Sequence, residues 1–373
     1  MLAVVACCCP EVFAQAEESP LRIFGYFQNQ FQHQSDTSDD IKRNSFSLQQ
    51  LNLFLQKNLG NKWVAFVNIE AINTFNSSRN WGSLRFEEAW ARYRKNVKFN
   101  LKLGLQIPTF NHLNEIKNRT PLLPYVIRPL VYEASFEELI SVEEYLPTRA
   151  FIQVYGFLPR RKFKLDYALF VGNSPNINDQ KERGKQTGVD TTSSFLVGGR
   201  LGIRYRWFKA GFSATRENVD LFTTPNQEQE QETIFRVPSP VIGDNAARGR
   251  LGADLSLDLW KLYLEGEWIS VSYEENDTGT APDKEFYYVT LGYNITEQTV
   301  AYASYWYTRE KSDIEDLTIK LPTAGLSHSL SDRITLKAQF APVEIKEAHP
   351  DADPPSAEEQ TVNYYGAAIS IFF

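Results

Sequence analysis

The amino-acid sequence predicts an all-β chain: a transmembrane, antiparallel, up-and-down β-barrel of about sixteen strands. Three observations carry that expectation. Segments with period-two hydrophobicity recur sixteen times, the pattern of half-buried strands. Long connectors alternate with short ones, and the last segment is an alternating strand that ends on Phe372 and Phe373. With 42% hydrophobic and 13% aromatic residues, the chain is too apolar to be disordered. A formal charge of −7 with scattered Lys and Arg argues against a nucleic-acid binder. After position 16 no run of 18 apolar residues occurs, so no spanning helix is expected. A barrel, by contrast, hides its apolar half by alternation.

Residues 1–16 form a short apolar segment ending in Ala14-Gln15-Ala16, the small-x-small pattern of a signal-peptidase site. They are expected to be an export signal, although a basic leading region is missing. Val4-Val5-Ala6-Cys7 also has the outline of a lipoprotein acylation site, with few apolar residues before the cysteine. All three cysteines, Cys7, Cys8 and Cys9, fall in this segment. The expected barrel domain, 17–373, therefore has no disulfide or thiolate metal ligand available.

The first strand is read over Leu21–Phe31, and the second alternates Leu51, Leu53 and Leu55 with Gln50, Asn52 and Gln56. The third sets Trp63, Ala65, Val67 and Ile69 against Lys62, Asn68 and Glu70. Ala89, Ala91 and Tyr93 define the fourth and Leu101, Leu103 and Leu105 the fifth. Residues 149–157, 163–171, 195–206 and the run from Phe208 to Ala214 continue the rule. Leu251–Leu259, Leu262–Trp268, Tyr287–Tyr293, 299–309, 317–328 and 333–341 precede the terminal strand. There, Tyr365, Ala367, Ile369, Ile371 and Phe373 share one face. This ending resembles the signal by which Gram-negative outer-membrane barrels are recognised for insertion, so the barrel-assembly machinery is an expected partner.

The long connectors are read as 32–45, 72–83, 108–148, 172–194, 216–247, 273–285, 310–316 and 342–360. The short ones include Asn58–Lys62, Lys95-Asn96, Leu158–Lys162, Trp260-Lys261, Asn294–Gln298 and Ser329–Asp332. Sorting loops by length onto two ends is what a membrane barrel requires, and a soluble sandwich has no reason to do it. Closure also satisfies the backbone polar groups in lipid. Aromatics gather at strand ends, among them Trp63, Trp207, Tyr287, Tyr305 and Tyr365, as interfacial girdles would.

The blocks Phe46–Gly60, Glu88-Ala-Trp-Ala-Arg-Tyr93, Leu103-Gly-Leu-Gln-Ile-Pro108 and Tyr167–Asn173 are similar to the bacterial porins grouped with the phosphate-selective porins O and P. The resemblance implies a sixteen-stranded, trimeric channel in the outer membrane, with outer-membrane lipid and lipopolysaccharide around it and small hydrophilic solutes or anions passing through. In porins the third outer loop folds inward, and by count that loop is 108–148. It is the longest connector, 41 residues, and carries the apolar, Pro-rich run Pro121–Tyr132. Packing on the barrel rim or in a subunit interface is the alternative.

A sixteen-stranded barrel leaves a water-filled lumen, so charges on the polar parity bear on selectivity. The basic set is Arg92, Arg94, Lys98, Lys102, Lys164, Arg200, Arg204, Arg206, Lys209, Arg250, Arg333 and Lys337; the acidic set is Glu70, Glu88, Asp166, Asp254, Asp258, Glu265 and Glu267. The connector adds Glu115, Glu133, Glu137, Glu138, Glu143 and Glu144 against Lys117, Arg119 and Arg128. From these, Arg92, Arg94, Lys102, Lys117, Arg119, Arg128, Arg200, Arg204, Arg250, Glu88 and Asp254 are expected to line the pore or its constriction. The excess of bases points to a mild anion preference; an oxyanion-selective channel and a plugged structural or adhesive barrel are the alternatives.

Enzymatic motifs are not evident. His33, His112, His328 and His349 form no paired metal spacing, and the neighbours His328 and Ser329 point to opposite faces of a strand. No cofactor is expected.

Overall fold

The computed structural model describes residues 20–36, 42–73, 83–116, 119–132, 148–174, 194–219, 246–274, 283–311, 316–349 and 356–373. The expected export signal lies outside them. Sixteen strands are present: β1 Arg22–Asp36, β2 Lys42–Leu59, β3 Trp63–Asn73, β4 Ser83–Asn96, β5 Phe99–Gln106, β6 Arg149–Arg160, β7 Phe163–Gly172 and β8 Leu196–Tyr205. The second half comprises β9 Phe208–Val219, β10 Ala246–Leu259, β11 Leu262–Tyr273, β12 Asp283–Asn294, β13 Thr299–Lys311, β14 Asp316–Ser331, β15 Ile334–His349 and β16 Ser356–Phe372. Each pairs antiparallel with its neighbours in sequence, and β1 pairs with β16 to close the barrel. At the seam Gly25 and Phe373 exchange two backbone hydrogen bonds of 3.0 Å. With every strand paired on both sides, the sheet has no edge to satisfy in lipid.

One end of the barrel carries tight turns. Arg161, Arg206 and Trp260 take positive φ of 52°, 48° and 56° there, the left-handed region short hairpins use. Lys98, Arg206 and Arg333, grouped with the strand wall from sequence, stand in these turns. The other end carries the long connectors. Six of them are shorter than expected, 32–45 and 342–360 the most. Within 32–45, β1 continues to Asp36 and β2 begins at Lys42; within 310–316, β13 reaches Lys311; within 342–360, β15 runs to His349 and β16 begins at Ser356. Alternation does persist in the last of these. Val343, Ile345 and Val362 are buried on one face while Glu344 and Lys346 are exposed on the other. Because the polar residues there occupy the face that is apolar lower down, the stretch reads as loop although its backbone pairs fully.

The two faces of the wall differ as alternation requires. Leu165, Leu169, Leu201, Phe212, Leu251, Val289 and Leu291 are exposed on one face, an apolar belt suited to hydrocarbon. The opposite face carries the buried polar and charged groups, including Gln28, Asn52, Glu88, Arg200, Asp254, Glu267 and Lys337.

Candidate functional site

The connector between β5 and β6 is the element on which the second face converges. Its described parts, 107–116 and 119–132, are mostly buried, Leu122 being exposed, with 3-10 turns at Thr120–Leu122 and Leu130–Tyr132. Pro121, Pro124 and Pro129 prevent a longer helix, so its backbone groups need partners elsewhere. Asn111 N donates to Ser213 Oγ at 3.0 Å on β9, and His112 N and Leu113 N donate to Glu267 Oε1 at 2.8 and 2.6 Å on β11. Tyr132 OH donates to Glu267 Oε2 at 2.5 Å. Tyr125 OH reaches Glu265 Oε1 at 2.5 Å and Thr290 Oγ1 at 2.8 Å. Val126 N and Ile127 N donate to Gln339 Oε1 on β15 at 2.7 and 2.9 Å, while Gln49 Nε2 donates to Val126 O at 2.8 Å. The buried Lys337 ammonium donates to Thr120 O at 2.9 Å, Pro121 O at 3.2 Å and Gln28 Oε1 at 2.9 Å.

Apolar packing reinforces these bonds. Tyr125 meets Tyr302 and Trp306 edge-on, with ring centroids 5.0 and 6.0 Å apart, a favourable aromatic geometry. Phe110, Leu113, Ile127, Leu130 and Tyr132 join one buried cluster with Ile269, Val271, Phe286, Tyr288, Leu317, Ile319, Val343 and Tyr364 of β11–β16. Sequence reasoning missed this. It assumed one polar face along each whole strand, whereas the face bearing Glu265 and Glu267 turns apolar at Ile269 and Val271 of the same strand.

The charged residues fall into three groups. On β7–β10, Arg200 grips Asp254 with Nε at 3.0 Å and Nη2 at 2.7 Å, and gives Nη1 to Asp166 at 2.8 Å; Arg204 Nε donates to Asp166 at 2.9 Å. Gly211 makes room for this pair, since a Cβ there would lie 2.6 Å from Asp254 Oδ2 and closer still to the Arg200 guanidinium. Around Glu88 of β4, Lys102 Nζ of β5 and Arg119 Nη2 of the connector approach at 3.7 and 3.5 Å. Lys102 and Arg92 also sit over the Trp90 ring, at 4.8 and 6.0 Å from its centroid. The third group is buried: Arg248 and Arg250 both donate to Glu217 Oε1. Arg250 therefore belongs with Glu217, apart from Arg200, Arg204 and Asp254. Arg94 is exposed near the β4–β5 turn and Arg128 is buried in the connector. Lys117, Glu133, Glu137, Glu138, Glu143 and Glu144 lie outside the described residues.

Glu217 and Arg248 were missed, and so were the anchoring roles of Glu265, Glu267, Gln339 and Lys337. Strand register, which the sequence does not display, is what pairs them. His328 Nδ1 lies 2.9 Å from Thr299 Oγ1. Among the described residues no cluster of His, Cys, Asp or Glu could hold a metal ion.

The sequence profile of the phosphate-selective porin O and P family matches residues 22–314. The chain belongs to that family. No curated protein matches the porin's sequence. Among solved structures it is similar to the anion-selective porin from Comamonas acidovorans, with TM-score 0.62, 14% identity, and 96% of this chain and 100% of that chain covered. It is also similar to OmpT of Vibrio cholerae with loop L8 deleted, with TM-score 0.61, 9% identity, and coverage of 95% and 99%. OmpT in its trimer form gives TM-score 0.58 at 9% identity, covering 95% and 100%. At such identities these likenesses speak for the fold. Family and fold make the protein an outer-membrane porin and point to a channel rather than an enzyme.

Proposed function

We propose that this porin is a passive channel for small hydrophilic solutes with a mild preference for anions, narrowed by the 108–148 connector folded into its lumen. One stretch, 109–132, bonds to side chains on β2, β6, β9, β11, β12 and β15, and in a closed barrel only the interior offers all six at once. The passage then runs between the connector and β4–β10. Its wall comprises Arg92, Arg94, Lys102, Arg119, Arg200 and Arg204 with Glu88 and Asp254, and Lys117 is assigned to the same passage; Arg128 and Arg250 are buried and do not line it.

The observation that carries the anion preference is the unequal exposure of the two signs. The side chains of Glu88, Asp166 and Asp254 are only 4%, 13% and 2% exposed; of their cationic partners Arg200 and Lys102 are 9% exposed, whereas Arg204 and Arg119 reach 54% and 32%. A solute in the passage meets guanidinium groups, which lower the barrier to anions. Three Arg200 donors are already committed to carboxylates, so a general anion preference fits better than a dedicated phosphate cage. Three copies around one axis, in outer-membrane lipid and lipopolysaccharide and inserted by the barrel-assembly machinery, complete the reading. OmpT of Vibrio cholerae, solved as a trimer, supports the stoichiometry. The test is the reversal potential of planar bilayers in a potassium chloride gradient. A sign set by chloride is expected, and a sign set by potassium overturns the preference.

A further inference from the structure

His112 is the residue of the connector that stands against the charged wall. Its backbone is clamped: His112 N is bonded to Glu267, Asn111 N to Ser213, and Asn111 Nδ2 donates to Trp268 O at 3.2 Å. Phe110 and Asn111 fill the space over Gly252, where a Cβ would lie 2.4 Å from Asn111 Oδ1. Asp254 follows Gly252 on the same face of β10, so this docking sets the imidazole beside the Arg200–Asp254 pair, with Lys209 and Arg204 as further charged neighbours. We propose that His112 is a specificity-determining residue of the channel: its imidazole borders the passage opposite Arg200 and Asp254, and gaining a proton there strengthens the preference for anions.

The surroundings support that direction. The charged groups that act on the ring are Arg200 and Arg204 on β8, Lys209 on β9 and Asp254 on β10; Glu267 on β11 holds the His112 backbone N–H, and Asp166 on β7 holds Arg200 and Arg204. Asp254 and Asp166 are held by Arg200 and Arg204, and Glu265 and Glu267 accept hydrogen bonds from the connector. The acids are thus occupied, and a new positive charge on His112 is left to act on the solute. Burial holds the imidazole below its usual range; Asp254 opposes the shift while Lys209, Arg200 and Arg204 add to it. The ring is therefore neutral at neutral pH and charges only in acid.

The inference rests on the proposed passage between the connector and β7–β10. It is tested by reversal potentials in about 0.1 M salt, where wall charges act over about 10 Å, measured at about pH 7.5 and about pH 5. The anion-to-cation permeability ratio of the native protein is expected to rise about threefold on acidification, as one added charge several ångströms from the ion path would produce. His112→Gln should stay at the neutral-pH ratio, and His112→Lys should hold the acid ratio at both pH values. Unchanged conductance in about 1 M salt, where wall charges are screened, establishes that the variants fold and open. No shift in the native protein, or an equal shift in His112→Gln, overturns the role of His112. A potassium-selective channel whose ratio still moves with pH through His112 would overturn the anion preference and leave this role standing.

Discussion

Two carboxylates on the wall show how single residues divide the work. Glu267 holds the connector in place, accepting from His112 N, Leu113 N and Tyr132 OH. Glu267→Ala leaves three donors without that acceptor, and a buried donor left unsatisfied costs about 1–3 kcal/mol. The expected outcome is a lower denaturation midpoint together with unsteady, enlarged single-channel conductance. Asp254 acts on charge, through its two-point grip on Arg200. Asp254→Asn removes one negative charge and exposes the guanidinium, so the anion-to-cation permeability ratio should rise about twofold in dilute salt, read from reversal potentials. Arg200, Arg204, Asp254, Glu88 and Lys102 were legible because each lies on the polar parity of a strand. Their pairing was not, because the Arg200–Asp254 and Arg250–Glu217 pairs depend on register between β8, β9 and β10. Arg250 illustrates the loss: its parity is right, but Glu217 holds it away from the Arg200 group.

Among the elements, the connector between β5 and β6 is the one to which the proposed function assigns the width of the channel. Its apolar, Pro-rich run was legible as a segment needing cover, and its place in the loop order was legible by counting. Its anchors were not, since Gln339 and Lys337 lie over 200 positions away in sequence. Gly252→Val places a branched side chain where Asn111 Oδ1 and Phe110 now sit. It should displace the connector and raise conductance, whereas the same change at Gly249, where the nearest atom is the Ser272 hydroxyl at 3.5 Å, should leave it unaltered. The strands themselves were legible through alternation, except where β15 and β16 exchange which face is apolar. Val343 and Ile345 are covered there while Glu344 and Lys346 face out, and polar outward residues suit strand ends that project past the apolar belt.

At the scale of the whole molecule the barrel is lopsided. The buried apolar cluster joins the connector mainly to β11–β16, with Phe151, Phe170 and Leu196 of β6–β8 included, and the proposed passage lies on the side of the charged groups of β4–β10. Anion preference should fall steadily as ionic strength rises and vanish near about 1 M, where the screening length is about 3 Å. Behind this stands the assignment of faces, exposed leucines to lipid and arginines to water. Residues 17–373 contain no cysteine, so in the chain without residues 1–16, the form the export-signal reading proposes, a single introduced thiol reports its own surroundings. The most direct measurement is single-channel current during addition of a charged, membrane-impermeant thiol reagent to the variants Arg204→Cys and Leu201→Cys. Stepwise current changes with Arg204→Cys and none with Leu201→Cys are the predicted result, and the reverse pattern would contradict it.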